Sequence, residues 1–150
     1  MSALQLEAAS AVLGPLLEEV VFVGGATIYL WITDPAAPPV RATEDVDVVC
    51  EVASRVEYYR LGGRLRERGL QEAADEPVLC RWRSSEPKLV LDVMPTNPDI
   101  LGFSNPWYEE VISKAATVPS LRVHSFAPPL RPYSLQPSSL PGKAEGTGIC

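Results

Sequence analysis

Two aspartates separated by one valine lie inside a β-branched run, Arg41-Ala-Thr43-Glu-Asp45-Val-Asp47-Val-Val-Cys50. No other stretch restricts the fold as strongly. The valines favour an extended strand, in which residues two apart share a face. Asp45 and Asp47 then stand side by side while Val46 and Val48 enter an apolar layer. Two like charges held together need a positive partner. A divalent metal carrying a phosphorylated ligand would serve. The alternative is an acidic pair that merely opens a strand beside a turn.

Two further stretches bear on that choice. Leu89-Val-Leu-Asp92-Val-Met94 is an apolar strand containing one carboxylate, on the face it shares with Val90 and Met94. Aspartate is disfavoured there without a purpose, and metal ligation at the rim gives Asp92 one. Upstream, Val20-Val-Phe-Val-Gly24-Gly25-Ala-Thr27 takes an apolar strand into a diglycine and a hydroxyl residue. Gly24 and Gly25 permit a positive φ or the close approach of a phosphate, and a helix start behind them offers unpaired N–H groups. A tight strand-to-helix turn without ligand explains the same residues. Arg41 and Thr43 flank the entrance to the acidic strand, where Arg41 offsets the acidic charge, touches a phosphate or is simply solvated. The chain has no G-x-G-x-x-G and no G-K-[ST], so dinucleotide-fold and P-loop readings have no motif behind them.

The remaining pattern supplies packing. Leu4 to Glu19 reads as a helix interrupted at Gly14-Pro15, and Ala26 to Trp31 as a second helical stretch. The 34–39 segment, with three prolines, reads as a surface loop. Ala53 to Arg68 reads as a helix with Val56, Tyr59 and Leu65 among its apolar positions and Gly69 as its C-cap. Glu72 to Pro77 reads as an acidic loop. Val78 to Arg83 and Lys88 to Met94 read as strands joined by Ser84-Ser-Glu-Pro87. Trp107 to Ala116 is expected to be helical, with Trp107 and Tyr108 either stacking on a base or packing. His124, the single histidine, falls on a short strand from Leu121 to Ser125, and one histidine makes neither a zinc site nor a triad.

At 150 residues and 46% apolar content the chain supports one core. Its net charge of −6 argues against a broad non-specific grip on nucleic acid. The N-terminus lacks the pattern of a secretory signal and no run is long enough for a membrane span. Cys50 and Cys80 read as small buried hydrophobes, and with no C-x-x-C pair the expected location is cytoplasmic.

Taken together, Phe22-Val-Gly24-Gly25-Ala-Thr27, Arg41-Ala-Thr43-Glu-Asp45-Val-Asp47 and Leu91-Asp92-Val-Met-Pro95 resemble the nucleotidyltransferase superfamily. The resemblance is to its toxin-like branch in bacterial abortive-infection and type IV toxin–antitoxin systems. Leu101-Gly-Phe-Ser-Asn-Pro-Trp107-Tyr108 is similar to a subgroup of that branch, and the match runs from about Val20 to Phe126. The resemblance implies an α/β (α+β) lobe, a mixed β-sheet with helices packed on it. It implies that Gly24, Gly25 and Thr27 hold the phosphates of a nucleoside triphosphate, and that Asp45, Asp47 and Asp92 ligate two Mg²⁺. The reaction implied is transfer of a nucleoside monophosphate to a hydroxyl of RNA or protein, and an antitoxin protein is an implied partner.

The last segment departs from the family. Members continue from the strand near Leu121 into a helix, whereas Pro128 to Cys150 is rich in proline and glycine. Read one frame over, the degenerate codons from Pro132 onward permit Ala-Thr-Lys-Leu-Ala-Ala, close to that helix. The expectation is a catalytic lobe over 1–127 and a disordered, frame-shifted tail over 128–150. The alternative to an enzyme is therefore a truncated, inactive remnant that only binds nucleotide or an antitoxin.

Overall fold

The computed structural model describes residues 2–31, 36, 38, 43–103, 105–118 and 121–123. Arg41, His124, the 128–150 tail and most of the 34–39 loop lie outside the described residues.

The first helix, α1 (Ser2–Leu13), buries Leu6, Ala9, Val12 and Leu13. It ends at Gly14, where φ is +52°, and a 3₁₀ helix over Gly14–Glu19 continues the chain with Pro15 in its first turn. The expected interruption is thus a full break, because proline offers no N–H to the preceding turn. Arg68 closes the broken end. Its Nε donates to the Val12 carbonyl at 2.7 Å and its Nη2 to that of Ala11 at 3.2 Å, supplying donors for carbonyls that a helix terminus leaves unpaired.

Strand β1 (Val20–Val23) is buried on both faces and leads through Gly24 into a second 3₁₀ helix, Gly25–Trp31. Then come β2 (Val46–Cys50) and α2 (Arg55–Glu67), followed by β3 (Gln71–Glu72), β4 (Arg81–Ser85) and β5 (Lys88–Pro95). Ser54 caps α2 by accepting from the Glu57 N–H at 3.3 Å. The chain continues with α3 (Pro98–Leu101), α4 (Tyr108–Ser113), β6 (Ala116–Val118) and β7 (Leu121–Val123).

Among the described residues, seven strands form one mixed sheet in the order β3-β4-β5-β2-β1-β7-β6. β2 runs parallel to β5 and antiparallel to β1, so the fold is α/β with a mixed sheet. Alternation divides the core. Phe22, Val46, Val48, Leu91 and Val93 meet α1 and α2 on one face, while Val21, Val23, Val49 and Met94 meet α4 on the other. Cys50 and Cys80 are both buried.

Four expectations need correcting. The strand expected over Val78 to Arg83 lies at Arg81–Ser85, which takes Ser84 and Ser85 out of the expected connection. On α2 the inward positions are Leu61 and Leu65, with Tyr58 packed against them, which turns Val56 and Tyr59 outward; Tyr59 is 70% exposed. The Tyr58 hydroxyl instead reaches into the sheet and donates to the Val93 carbonyl at 3.0 Å. The helix at Trp107 is only the short α4, because residues 116–118 pair with β7 as an edge strand. Within the expected loop at 72–77, Glu72 joins β3 and extends the sheet beyond β4.

Candidate functional site

Strand register brings the acidic residues together. Val23, Asp47, Asp92 and Arg81 stand opposite one another on four neighbouring strands, β1, β2, β5 and β4. Because side chains alternate along each strand, Asp47 shares its face with Val49, and Asp92 shares that same face with Met94. Asp45 precedes β2 and joins the group through Arg81.

The glycine turn covers one end of this row. Gly24 has φ +75°, and a Cβ on it would sit 2.3 Å from Asp47 Oδ2. Only glycine meets both demands, an αL backbone and contact with a carboxylate. Gly25 is constrained from another side, since a Cβ there would lie 2.5 Å from Thr43 Cγ2. Thr43 braces the approach to β2 by donating its hydroxyl to the Asp45 carbonyl at 3.2 Å. Thr27 is 2% exposed, and its hydroxyl donates to the Gly24 carbonyl at 2.9 Å. Its backbone N–H makes the same contact at 3.2 Å, so both groups of Thr27 hold the turn. Gly24→Ala is accordingly expected to cost about 2 kcal/mol or more in a urea titration, from αL strain together with displacement of Asp47. A wild-type midpoint would show that the turn relaxes freely.

Arg81 is the residue that the motif pattern does not contain. Its Nε donates to Asp92 Oδ1 and its Nη2 to Asp92 Oδ2, each at 2.8 Å. Nη2 also reaches Asp45 Oδ2 at 3.0 Å, and Nη1 reaches Glu76 Oε2 at 2.9 Å. Glu76 is further paired with Arg83. The Asp92 hydrogen bonds, above all, raise Arg81 beyond its ordinary range. Asp92 is 2% exposed, and a bidentate guanidinium gives it the partner that burial demands. The expected rim position is therefore corrected: Asp92 is buried, and an arginine on the adjacent strand accounts for its place.

Asp47 is the contrasting case. Among the described residues no cation forms an ion pair with it, and burial, followed by repulsion from Asp45 and Asp92, pushes its carboxyl up to about 6. The donor chemistry of the row suits Mg²⁺, which prefers hard carboxylate oxygens. As the side chains stand, however, no group of three or more His, Cys, Asp or Glu among the described residues is disposed to hold a metal ion. Arg81 stands among them instead, on both oxygens of Asp92 and one of Asp45. Tyr108, expected either to stack or to pack, is buried with its hydroxyl 3.0 Å from Met94 Sδ, whereas Trp107 is 55% exposed.

No family model and no curated protein matches the chain. The resemblance to nucleotidyltransferases rests on the motif residues themselves. No helix among the described residues is long and apolar enough to cross a membrane.

Arg81 and Glu76 lie outside the motif pattern, yet the sequence carries one signal for Arg81. A two-residue turn at Glu86-Pro87 pairs Ser85 with Lys88, and counting back along both strands sets Arg81 opposite Asp92. A basic residue opposite a carboxylate on an apolar strand is the mark of an internal ion pair.

Proposed function

We propose that the chain is a nucleotidyltransferase lobe that moves a nucleoside monophosphate from a nucleoside triphosphate to a hydroxyl of RNA or protein, with Mg²⁺ as cofactor and a cytoplasmic place of action. One observation carries the reading. Asp47 and Asp92 face each other on parallel strands, with Asp45 tied to Asp92 through Arg81 and a glycine turn lying against the Asp47 carboxylate. Asp45 and Asp47 would hold the metal, with Asp92 completing the set once Arg81 releases it. When bound, Mg²⁺ supplies charge neutralisation at the phosphates and orients them for attack by the acceptor hydroxyl.

The chain's own contribution is placement. The bare Gly24 backbone keeps bulk away from Asp47, Thr27 fixes that backbone, and Thr43 fixes the approach to Asp45. Asp47 and Asp92 are thereby held on strands, with Asp45 at the entrance to one of them, which limits their drift.

A second reading is favoured by the arginine that occupies the carboxylates: an inactive remnant that binds nucleotide, or an antitoxin protein, without turnover. Incubation of the full chain with Mg²⁺, α-labelled nucleoside triphosphates and total RNA or protein separates the two. Transfer of label is expected, with a loss of about 100-fold or more in Asp45→Ala and in Asp47→Ala while circular dichroism stays native. Nucleotide binding by calorimetry without labelled product would select the remnant. Label transfer that survives both substitutions would remove these aspartates from the mechanism.

A further inference from the structure

Arg81 holds three carboxylates at once. Two of them belong to the proposed magnesium site, and the role of Arg81 there rests on that reading. Its contacts run from both oxygens of Asp92 through Asp45 Oδ2 to Glu76 Oε2. The Asp92 side chain is 3% exposed and that of Arg81 20%. The guanidinium is therefore the wetter member of the pair, and any other cation approaching Asp92 competes with it.

Formal charge points the same way. Asp45, Asp47, Asp92, Glu76 and Asp75 carry five formal negative charges, and Arg81 and Arg83 are the guanidiniums that pair with this group. The group keeps an excess of negative charge, which a divalent cation would reduce. Such an ion at Asp45 and Asp47 would meet Arg81 on the same Asp45 carboxylate, and two cations sharing one carboxylate repel. Glu76 gives the guanidinium somewhere to stay: it contacts Nη1, and Asp75 lies 3.4 Å from Arg83 beside it.

We propose that Arg81 is a built-in counter-cation that exchanges with a divalent metal ion. Without metal it holds Asp45 and Asp92 in register and quenches their repulsion. When a divalent ion enters, Arg81 gives up Asp45 and Asp92 and remains tethered at Glu76. The site is thus kept assembled but closed until a stronger cation displaces its own arginine.

Mn²⁺ binding to the full chain, followed by electron paramagnetic resonance of the free ion, tests the exchange in wild type, Arg81→Gln and Arg81→Lys. Removing the competitor is expected to tighten Mn²⁺ binding by about 10-fold or more in Arg81→Gln. Lysine, which keeps the charge but cannot span three carboxylates, should fall between the two. In chelator, Arg81→Gln should melt below wild type, and saturating Mn²⁺ should raise its Tm more than it raises that of wild type. Mn²⁺ affinity that is equal, weaker or undetectable in both variants would overturn the exchange. So would variants that stay unfolded at saturating Mn²⁺, because a replaceable counter-ion is one that the metal can stand in for. Nucleotidyl transfer fails on a different outcome: tighter Mn²⁺ binding by Arg81→Gln with no labelled product from wild type retains the exchange and rejects the transfer.

Discussion

Asp92→Ala is expected to destabilise the metal-free protein by about 3 kcal/mol, measured as the loss of unfolding free energy in a urea titration at neutral pH. The substitution removes little apolar area. Its effect comes from Arg81, which loses the two 2.8 Å hydrogen bonds that fix its fork while only 20% of its side chain is exposed to water. Asp45 and Glu76 still contact the guanidinium, which holds the loss toward the lower end of the range for a broken buried pair. The double replacement Arg81→Met with Asp92→Leu removes both charges together, and it should recover most of the loss, because no unpaired ion is left inside. A single-mutant loss below about 1 kcal/mol would show the pair to be well solvated. A double mutant as unstable as the single would place the cost in shape rather than in charge.

The same pair marks where the sequence was readable and where it was not. Valine bulk and alternation point to β1, β2 and β5, set Asp47 on the face opposite Val46 and Val48, and put Asp92 with Val90 and Met94, because period two follows directly from residue order. The adjacency of Asp47 and Asp92 depended on β2 pairing with β5 across the intervening α2, β3 and β4, a long-range choice that local pattern does not contain. The arginine partner was not legible for a related reason. An acidic pair in an apolar strand demands a cation, but pattern alone does not say whether that cation is a metal or an arginine brought by a hairpin. The face of α2 failed differently. Tyr58, Leu61 and Leu65 compete with Val56, Tyr59 and Leu65 for the same 3.6-residue period, and the sheet selected the first set by accepting the Tyr58 hydroxyl at Val93. Thr27 carried a motif position, and the bracing of the turn by its hydroxyl was not legible from that position.

Asp47→Asn should act in the opposite direction from Asp92→Ala, although the two residues face each other in register. In the folded chain the Asp47 carboxyl titrates at about 6, raised first by burial and then by Asp45 and Asp92, against an ordinary value of 3.8. Below pH ~3.8 both folded and unfolded chains hold the proton, and the group has no effect on stability. Between that pH and about 6 the unfolded chain ionises while the folded chain resists, so stability falls as pH rises. Above about 6 the penalty is complete, on the order of 3 kcal/mol for a shift of this size. Asparagine keeps the shape and removes the charge. The difference in unfolding free energy between Asp47→Asn and wild type, measured by urea titration at a series of pH values in chelator, should therefore be near zero at pH 4, grow through pH 6 and level off by pH 8 in favour of the variant. A difference that stays flat across that window would mean that Asp47 is solvated or already paired. Mg²⁺ gives the sharper check. If the proposed site is real, a divalent ion beside Asp47 relieves the repulsion in wild type and has less to relieve in the variant, so saturating Mg²⁺ should shrink the gap at pH 8.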